Sequence, residues 1–198
     1  MPDDTELLAV LEFLRERGAL GEASLPRAVA HAELFVAAVP PACRRVLDLG
    51  SGGGLPGLVI ASRMPDATVV LTDRRERRMD LLRVACARLG WGSRVSVVTA
   101  DVVALGRDPV HHGGYDAVTA RAFGDPVWTL SCAVPFLNED GVVIVSEPPS
   151  VHDAERWPTD AVRALGLRGS TQQYPQVRRF ERTHGIVSRE TTGGGNTR

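Results

Sequence analysis

Five glycines fall among the eight residues Gly50 to Gly57 of the stretch VLDLGSGGGLPG, directly after an apolar run. Glycine permits positive φ and carries no Cβ to keep a ligand off the backbone, so this loop lets something approach closely. Gly52 to Gly57 matches G-x-G-x-x-G, the dinucleotide fingerprint in which the first glycine closes the strand and pyrophosphate meets the next helix. Here Gly50 already closes the strand. The fuller description is Asp48-x-Gly50-x-Gly52-x-Gly54, with a carboxylate two residues before the first glycine. Negative charge at that strand end suits pyrophosphate poorly, but it attracts a cationic ligand. Two further carboxylates end the next apolar runs. Asp73 closes ATVVLTD, nineteen residues after Gly54, where a carboxylate can accept hydrogen bonds from both hydroxyls of a ribose. Asp101 closes RVSVVTAD, making a set of three with the glycines between them.

The elements that must position these groups are legible from spacing. From Arg44 onward, the valine-rich runs RVLDL, ATVVLTD, RVSVVTAD, YDAVTA and GVVIVSE recur, with helical stretches between most of them. Such alternation implies crossover connections and a mostly parallel sheet covered on both faces, an α/β fold. Ligands of such sheets bind beyond the carboxyl ends of the strands, where the first glycine loop lies. Two helices precede the sheet. Thr5 to Arg17 carries Leu7, Leu8, Leu11 and Leu14 on one face before Gly18, and Ser24 to Val39 has Ser24 as cap, Pro26 in its first turn and apolar Val29, Leu34 and Val36. After Val162, RGSTQQYPQVRRF and ERTHGIVSRE read as two strands joined without a helix, pairing antiparallel at the sheet end. The expected organisation is a helical segment over residues 1–40 packed on the core, a ligand-binding domain over 41–190, and a disordered tail over 191–198.

Composition excludes several classes of function. Hydrophobic content of 43% and charged content of 24% are ordinary for a globular chain, and no apolar run approaches the roughly 20 residues that span a bilayer. The acidic start MPDDTELL lacks the basic opening of a secretion signal, so a cytoplasmic location without membrane contact is expected. Cys43, Cys86 and Cys132 are widely separated and read as buried reduced thiols. A net charge of −1 gives no bulk footprint for nucleic acid, and the absence of lysine rules out lysine catalysis. His111 and His112 have no third ligand at metal-site spacing, so no metal is expected. The three tryptophans are too scattered to suggest a base-stacking platform, and His184 in a late strand reads as structural.

The acidic and glycine pattern resembles motif I of class I S-adenosylmethionine methyltransferases. The span from about His31 to Pro148 further resembles the RsmG (GidB) family, which methylates guanine N7 in small-subunit ribosomal RNA. The residues that carry the likeness are GSGGGLPG, TDRRERRMDLL after the second strand, ARAF after the fourth, and His31 in the preceding helix. The resemblance implies a Rossmann-like sheet of seven mostly parallel strands with an antiparallel last strand, and S-adenosylmethionine as cofactor. Cofactor contacts are then expected from Asp48, Gly50, Ser51, Gly52, Gly54 and Leu55 on the loop. Asp73 and Arg74 follow the second strand, Asp101 and Val102 the third, with Asp101 placed to meet the adenine amino group, and Arg121 the fourth. Arg121 is also the leading catalytic candidate, because its guanidinium would stand where the methyl group emerges and can stack on or bond a base or phosphate. Its bland alternative is an ion pair with Asp116 or Asp125. Arg74, Arg75, Arg77 and Arg78 open a helix, where the macrodipole disfavours cations unless an anion binds.

Departures from the family fall on the substrate side. Its Asn-Leu-Thr motif has no counterpart here, its Asp-Ser after the helix histidine is Leu34-Phe35, and Glu147 in SEPPS stands where the family has lysine. Guanine N7 offers a free lone pair and needs no general base, whereas a hydroxyl or ammonium acceptor would need one, a role open to Glu147. Ribosomal RNA and a small molecule are therefore both candidate acceptors. A cofactor-binding protein without transfer activity and a nicotinamide oxidoreductase are the rival classes. The pattern leaves oligomeric state open.

Overall fold

A computed structural model of the chain describes residues 4–21, 24–148 and 156–183. The valine-rich runs become five parallel strands: β1 (Arg45–Leu49), β2 (Thr68–Asp73), β3 (Val95–Thr99), β4 (Tyr115–Ala120) and β5 (Leu137–Ser146). Helices α3 (Gly57–Arg63), α4 (Glu76–Arg88), α5 (Val102–Leu105) and α6 (Pro126–Ala133) connect them, the last running through a 3-10 turn at Val134–Phe136. Two helices, α1 (Asp4–Glu16) and α2 (Leu25–Ala38), precede the sheet, and α7 (Thr159–Ala164), β6 (Leu167–Gly169) and β7 (Val177–Arg182) follow it. The sheet order is β3-β2-β1-β4-β5-β7-β6, with β7 antiparallel to both of its neighbours.

This order fixes where a ligand can enter. β1 pairs with β2 on one side and β4 on the other, Leu49 standing level with Thr72 and with Ala120. The connections leaving β1 and β4 diverge to opposite halves of the sheet, so their carboxyl ends open a crevice at the switch point.

Strand residues alternate between two apolar layers, the period of two that puts successive side chains on opposite faces. Val46, Val69, Leu71, Ala117 and Ile144 join one core with α1 to α4, and Leu47, Leu49, Val118, Val143 and Val145 join the other with α6 and α7. Burial on both faces explains why these strands read as unbroken apolar runs.

The structure revises several local expectations. In α1 the buried stripe is Leu7, Val10, Leu11 and Leu14, whereas Leu8 is 42% exposed, one position out of phase with the helical repeat. In α2 the inward residues are Ala32, Phe35 and Ala38, with Val29, Leu34 and Val36 half-buried at the flanks. Ser24 stands at the N-cap of α2 but makes no side-chain cap hydrogen bond. At the sheet end, β6 and β7 lie in LRG and VRRFER, so the turn between them falls inside RGSTQQYPQVRRF rather than after it. Most of ERTHGIVSRE, His184 and the 191–198 tail lie outside the described residues. Cys43, Cys86 and Cys132 are buried free thiols, and burial pushes the Cys43 thiol up to about 12 and the Cys86 thiol up to about 11. Among the described residues no helix is long and apolar enough to cross a membrane, and no three His, Cys, Asp or Glu side chains gather as a metal ion requires.

Candidate functional site

The crevice beyond β1 and β4 is a cleft of about 460 Å³, within the range of small-ligand sites. The glycine loop forms its floor. Gly50 and Gly52 take φ of +64° and +53°, which residues with a Cβ rarely adopt. A Cβ on Gly52 would stand 3.3 Å from Arg78 Nη1, a contact the flexible guanidinium can relieve, so it is the positive φ that calls for glycine here. Ser51 is buried and stitches the loop to the sheet, its hydroxyl donating to the Asp48 carbonyl at 2.8 Å and accepting from Thr72 N–H at 3.0 Å. Leu55 lines the cleft, and its bond to Pro56 is cis.

Two of the three strand-end carboxylates face this space. Asp73 Oδ2 accepts from Gly52 N–H at 3.2 Å and its Oδ1 from Arg75 N–H at 2.9 Å. An ionised carboxylate has roughly four acceptor positions, so two remain for ribose hydroxyls. Asp101 caps α5 through Oδ1, accepting from Val103 and Ala104 N–H, and with Val102 it lines the cleft. Arg74, Arg75 and Arg78 line the same space, whereas Arg77 is exposed outside it.

The third carboxylate does not face the cleft. Asp48 has no exposed surface: Oδ1 accepts from the Thr119 hydroxyl at 2.7 Å, and Oδ2 from Gly57 N–H, at the start of α3, at 3.2 Å. Desolvation pushes its carboxyl up to about 6, against the pull of those hydrogen bonds and of the Arg121 charge. Asp48 therefore acts on the cleft from beneath, as an anchor for the turn and a counter-charge to Arg121. Gly54 also turns inward, because a Cβ there would meet Leu58 and Leu82 at 2.5 and 2.8 Å. Its glycine serves close packing of helix on loop rather than ligand contact.

Arg121 lines the cleft as expected, and neither suspected ion pair forms. Asp116 instead accepts from Arg44 N–H, Arg45 N–H and Asn138, and Asp125 caps α6. Burial weakens the hold of Arg121 on its proton, which the Asp48 charge opposes. Burial, then the positive charge of Arg121, lower the His31 imidazole from its usual range. Asp48, Arg121 and His31 thus form one electrostatic chain from sheet to α2.

Glu147 is not brought to this cleft. It lies on a separate cleft of about 320 Å³ with Gln172, Gln173 and Gln176. Its carboxylate accepts from Trp157 Nε1 and faces Arg156 Nε at 3.7 Å, so the residue to which a base's role stood open is engaged elsewhere.

Two contributors escaped sequence reasoning. Ala19, Leu20 and Gly21, after α1, reach over the glycine loop and line the cleft; a Cβ on Gly53 would strike Leu20 at 2.5 Å. No local signal ties them to a loop thirty residues later. Phe123 and Trp128 stack at the cleft wall, with ring centroids 5.2 Å apart and planes 11° from parallel. Considering tryptophans alone concealed a pair that a phenylalanine completes.

Sheet order, the position of the glycine loop and the cleft-facing carboxylate that ends β2 define a class I methyltransferase-like fold. The chain belongs to the family described as GidB, rRNA small subunit methyltransferase G, whose model matches residues 26–156. It is 36% identical over 160 residues to a ribosomal RNA small subunit methyltransferase G from Rubrobacter xylanophilus, a match covering 77% of this chain. The chain spans 60% of that relative's length. A protein of the same description from Sorangium cellulosum is 40% identical over 101 residues, covering 51% of this chain and 41% of the relative. In fold, the chain is similar to an O-methyltransferase from Bacillus cereus solved in complex with SAH, with a TM-score of 0.63, 15% identity, and 92% and 93% of the two chains covered.

Proposed function

We propose that the chain is an S-adenosylmethionine-dependent methyltransferase whose acceptor is guanine N7 in small-subunit ribosomal RNA, acting in the cytoplasm. Family membership supports the reaction class, and the cleft supports the cofactor: bare glycine backbone below, and Asp73 with two acceptor positions to spare. S-adenosylmethionine would supply an electrophilic methyl group. Asp73 would hold its ribose, Asp101 and Val102 its adenine end, and Gly50 to Gly52 the amino-acid portion.

The observation that carries the acceptor is the position of Glu147. With its carboxylate tied to Trp157 and Arg156 in another cleft, the described residues of the cofactor cleft keep Asp73, Asp101 and four arginines, and both carboxylates already accept backbone N–H groups. That set favours a nucleophile that is already unprotonated, as guanine N7 is, over a hydroxyl or ammonium needing a base. Arg121 then has a positioning task at the base or its phosphate, with the buried Asp48 carboxylate as its counter-charge. Holding nucleophile and methyl in line is worth up to roughly 7 to 11 kcal/mol, so geometry alone can supply most of the rate.

Calorimetry should detect binding of S-adenosylmethionine and S-adenosylhomocysteine and none of NAD; the opposite result would remove the cofactor assignment. Labelled S-adenosylmethionine incubated with undermethylated ribosomal RNA and, separately, with a metabolite extract should label the RNA. Label confined to metabolites would refute the acceptor.

A further inference from the structure

The chain has three tryptophans, and the structure treats one of them differently. Trp91 and Trp157 are 3% and 5% exposed, whereas Trp128 is 46% exposed although it is the largest apolar side chain type. Its exposure is not slack. Asp125 Oδ1 accepts from Trp128 N–H at 3.3 Å, Thr129 Oγ1 donates to the Asp125 carbonyl at 2.7 Å, and Pro126 sets the first turn of α6. Gly124 leaves room for the edge of the six-membered ring, since a Cβ there would come within 3.0 Å of Cε3 and Cζ3. Phe123, seated on Gly50, covers one indole face in a near-parallel stack. The ring is held edge and face by its own turn, and its remaining surface is presented at the cleft.

The surroundings indicate what that surface receives. Arg74, Arg75, Arg78 and Arg121 line the same cleft, a concentration of positive charge in a chain whose net charge is −1. Arginines that track phosphate beside an exposed, preorganised aromatic face are the recurring means of holding single-stranded nucleic acid with its bases unstacked. An apolar small molecule would use the ring but leave the arginines without partners.

We propose that Trp128 is the stacking platform for a base of the acceptor RNA that neighbours the methylated guanine. This rests on the RNA reading above. Phe123 backs the indole from the cofactor side, so a base on Trp128 sits one ring outside the reaction centre. The platform thereby holds the strand open beside the acceptor, a contribution to binding made one nucleotide away from the reacting base.

The emission of the native chain tests this, because acrylamide can reach Trp128 while Trp91 and Trp157 are buried. With saturating S-adenosylhomocysteine present, titration with an undermethylated single-stranded fragment of small-subunit ribosomal RNA should quench the acrylamide-accessible component. The same fragment with abasic nucleotides flanking the guanine should bind more weakly and leave that component unchanged. Trp128→Leu should raise KM for the RNA about 5- to 140-fold with kcat little altered, and Trp128→Phe should recover most of the loss. Quenching by S-adenosylhomocysteine alone would assign the ring to the cofactor's adenine and overturn the proposal. So would RNA methylation by the native chain with its emission unaffected, a result that leaves the methyltransferase reading intact. Failure of the native chain to bind or methylate any RNA would bring down both. The emission titrations need no variant, so a poorly folding Trp128→Leu would not rescue the proposal.

Discussion

Asp48 and Asp73 end neighbouring strands and carry the same side chain, yet the fold gives them opposite tasks. Burial penalises the charge of Asp48 and pushes its carboxyl up to about 6 in the folded chain, against the ordinary aspartate value of 3.8. A raised folded value means the native state holds this proton longer. The stability it brings is fully present below pH 3.8 and is lost as pH rises through 6, a difference on the order of 3 kcal/mol. Asp48→Asn keeps the shape, with its amide oxygen toward Gly57 N–H and its nitrogen toward Thr119. Urea denaturation of this variant should lack that decline, so that variant minus wild type grows more favourable across the same interval. Asp73, by contrast, lines the cleft with acceptor positions to spare. Asp73→Ala should weaken S-adenosylhomocysteine binding at least about a hundredfold by calorimetry, two charge-assisted hydrogen bonds being lost at once. Unchanged affinity would remove it from the site. The sequence placed both carboxylates at strand ends correctly, but which way each side chain points depends on packing. Thr119 and Gly57, distant or unremarkable in the sequence, draw Asp48 inward.

At the scale of elements, the turn from β1 into α3 is where packing is least forgiving. A Cβ on Gly57 would lie 2.2 Å from Leu71 Cδ2 and 3.1 Å from Asp48 Cβ, both wholly buried. Gly57→Ala should therefore destabilise the chain by about 1 to 3 kcal/mol through overpacking, read as a lower urea midpoint. The five parallel strands were legible because burial on both faces makes them apolar throughout. The helix faces were less so. Leu7-Leu8 offers two registers with similar periodicity, and only the docked structure selects the one that buries Val10 and exposes Leu8. The late hairpin was displaced because β6 has only three residues, too short for an alternating pattern to mark it.

For the molecule as a whole, α1 and α2 share one apolar layer with β1, β2 and α4. We expect residues 1–40 to unfold together with the sheet rather than as a separate unit. Leu11→Ala, deep in that layer, should cost about 2 to 5 kcal/mol and lower the transition of the entire chain, which circular dichroism and a sheet-side probe would report at one midpoint. Two separate midpoints would show that the N-terminal helices are autonomous. The segment Ala19 to Gly21 gives this layout a reciprocal consequence, because it is continuous with α1 and also roofs the glycine loop. Any ligand that favours the roofed arrangement tightens the docking of the first helices, and whatever frees those helices must loosen the ligand by the same factor. Amide hydrogens of α1, remote in sequence from the glycine loop, should exchange more slowly once the cleft is filled, making this helix a gauge of occupancy.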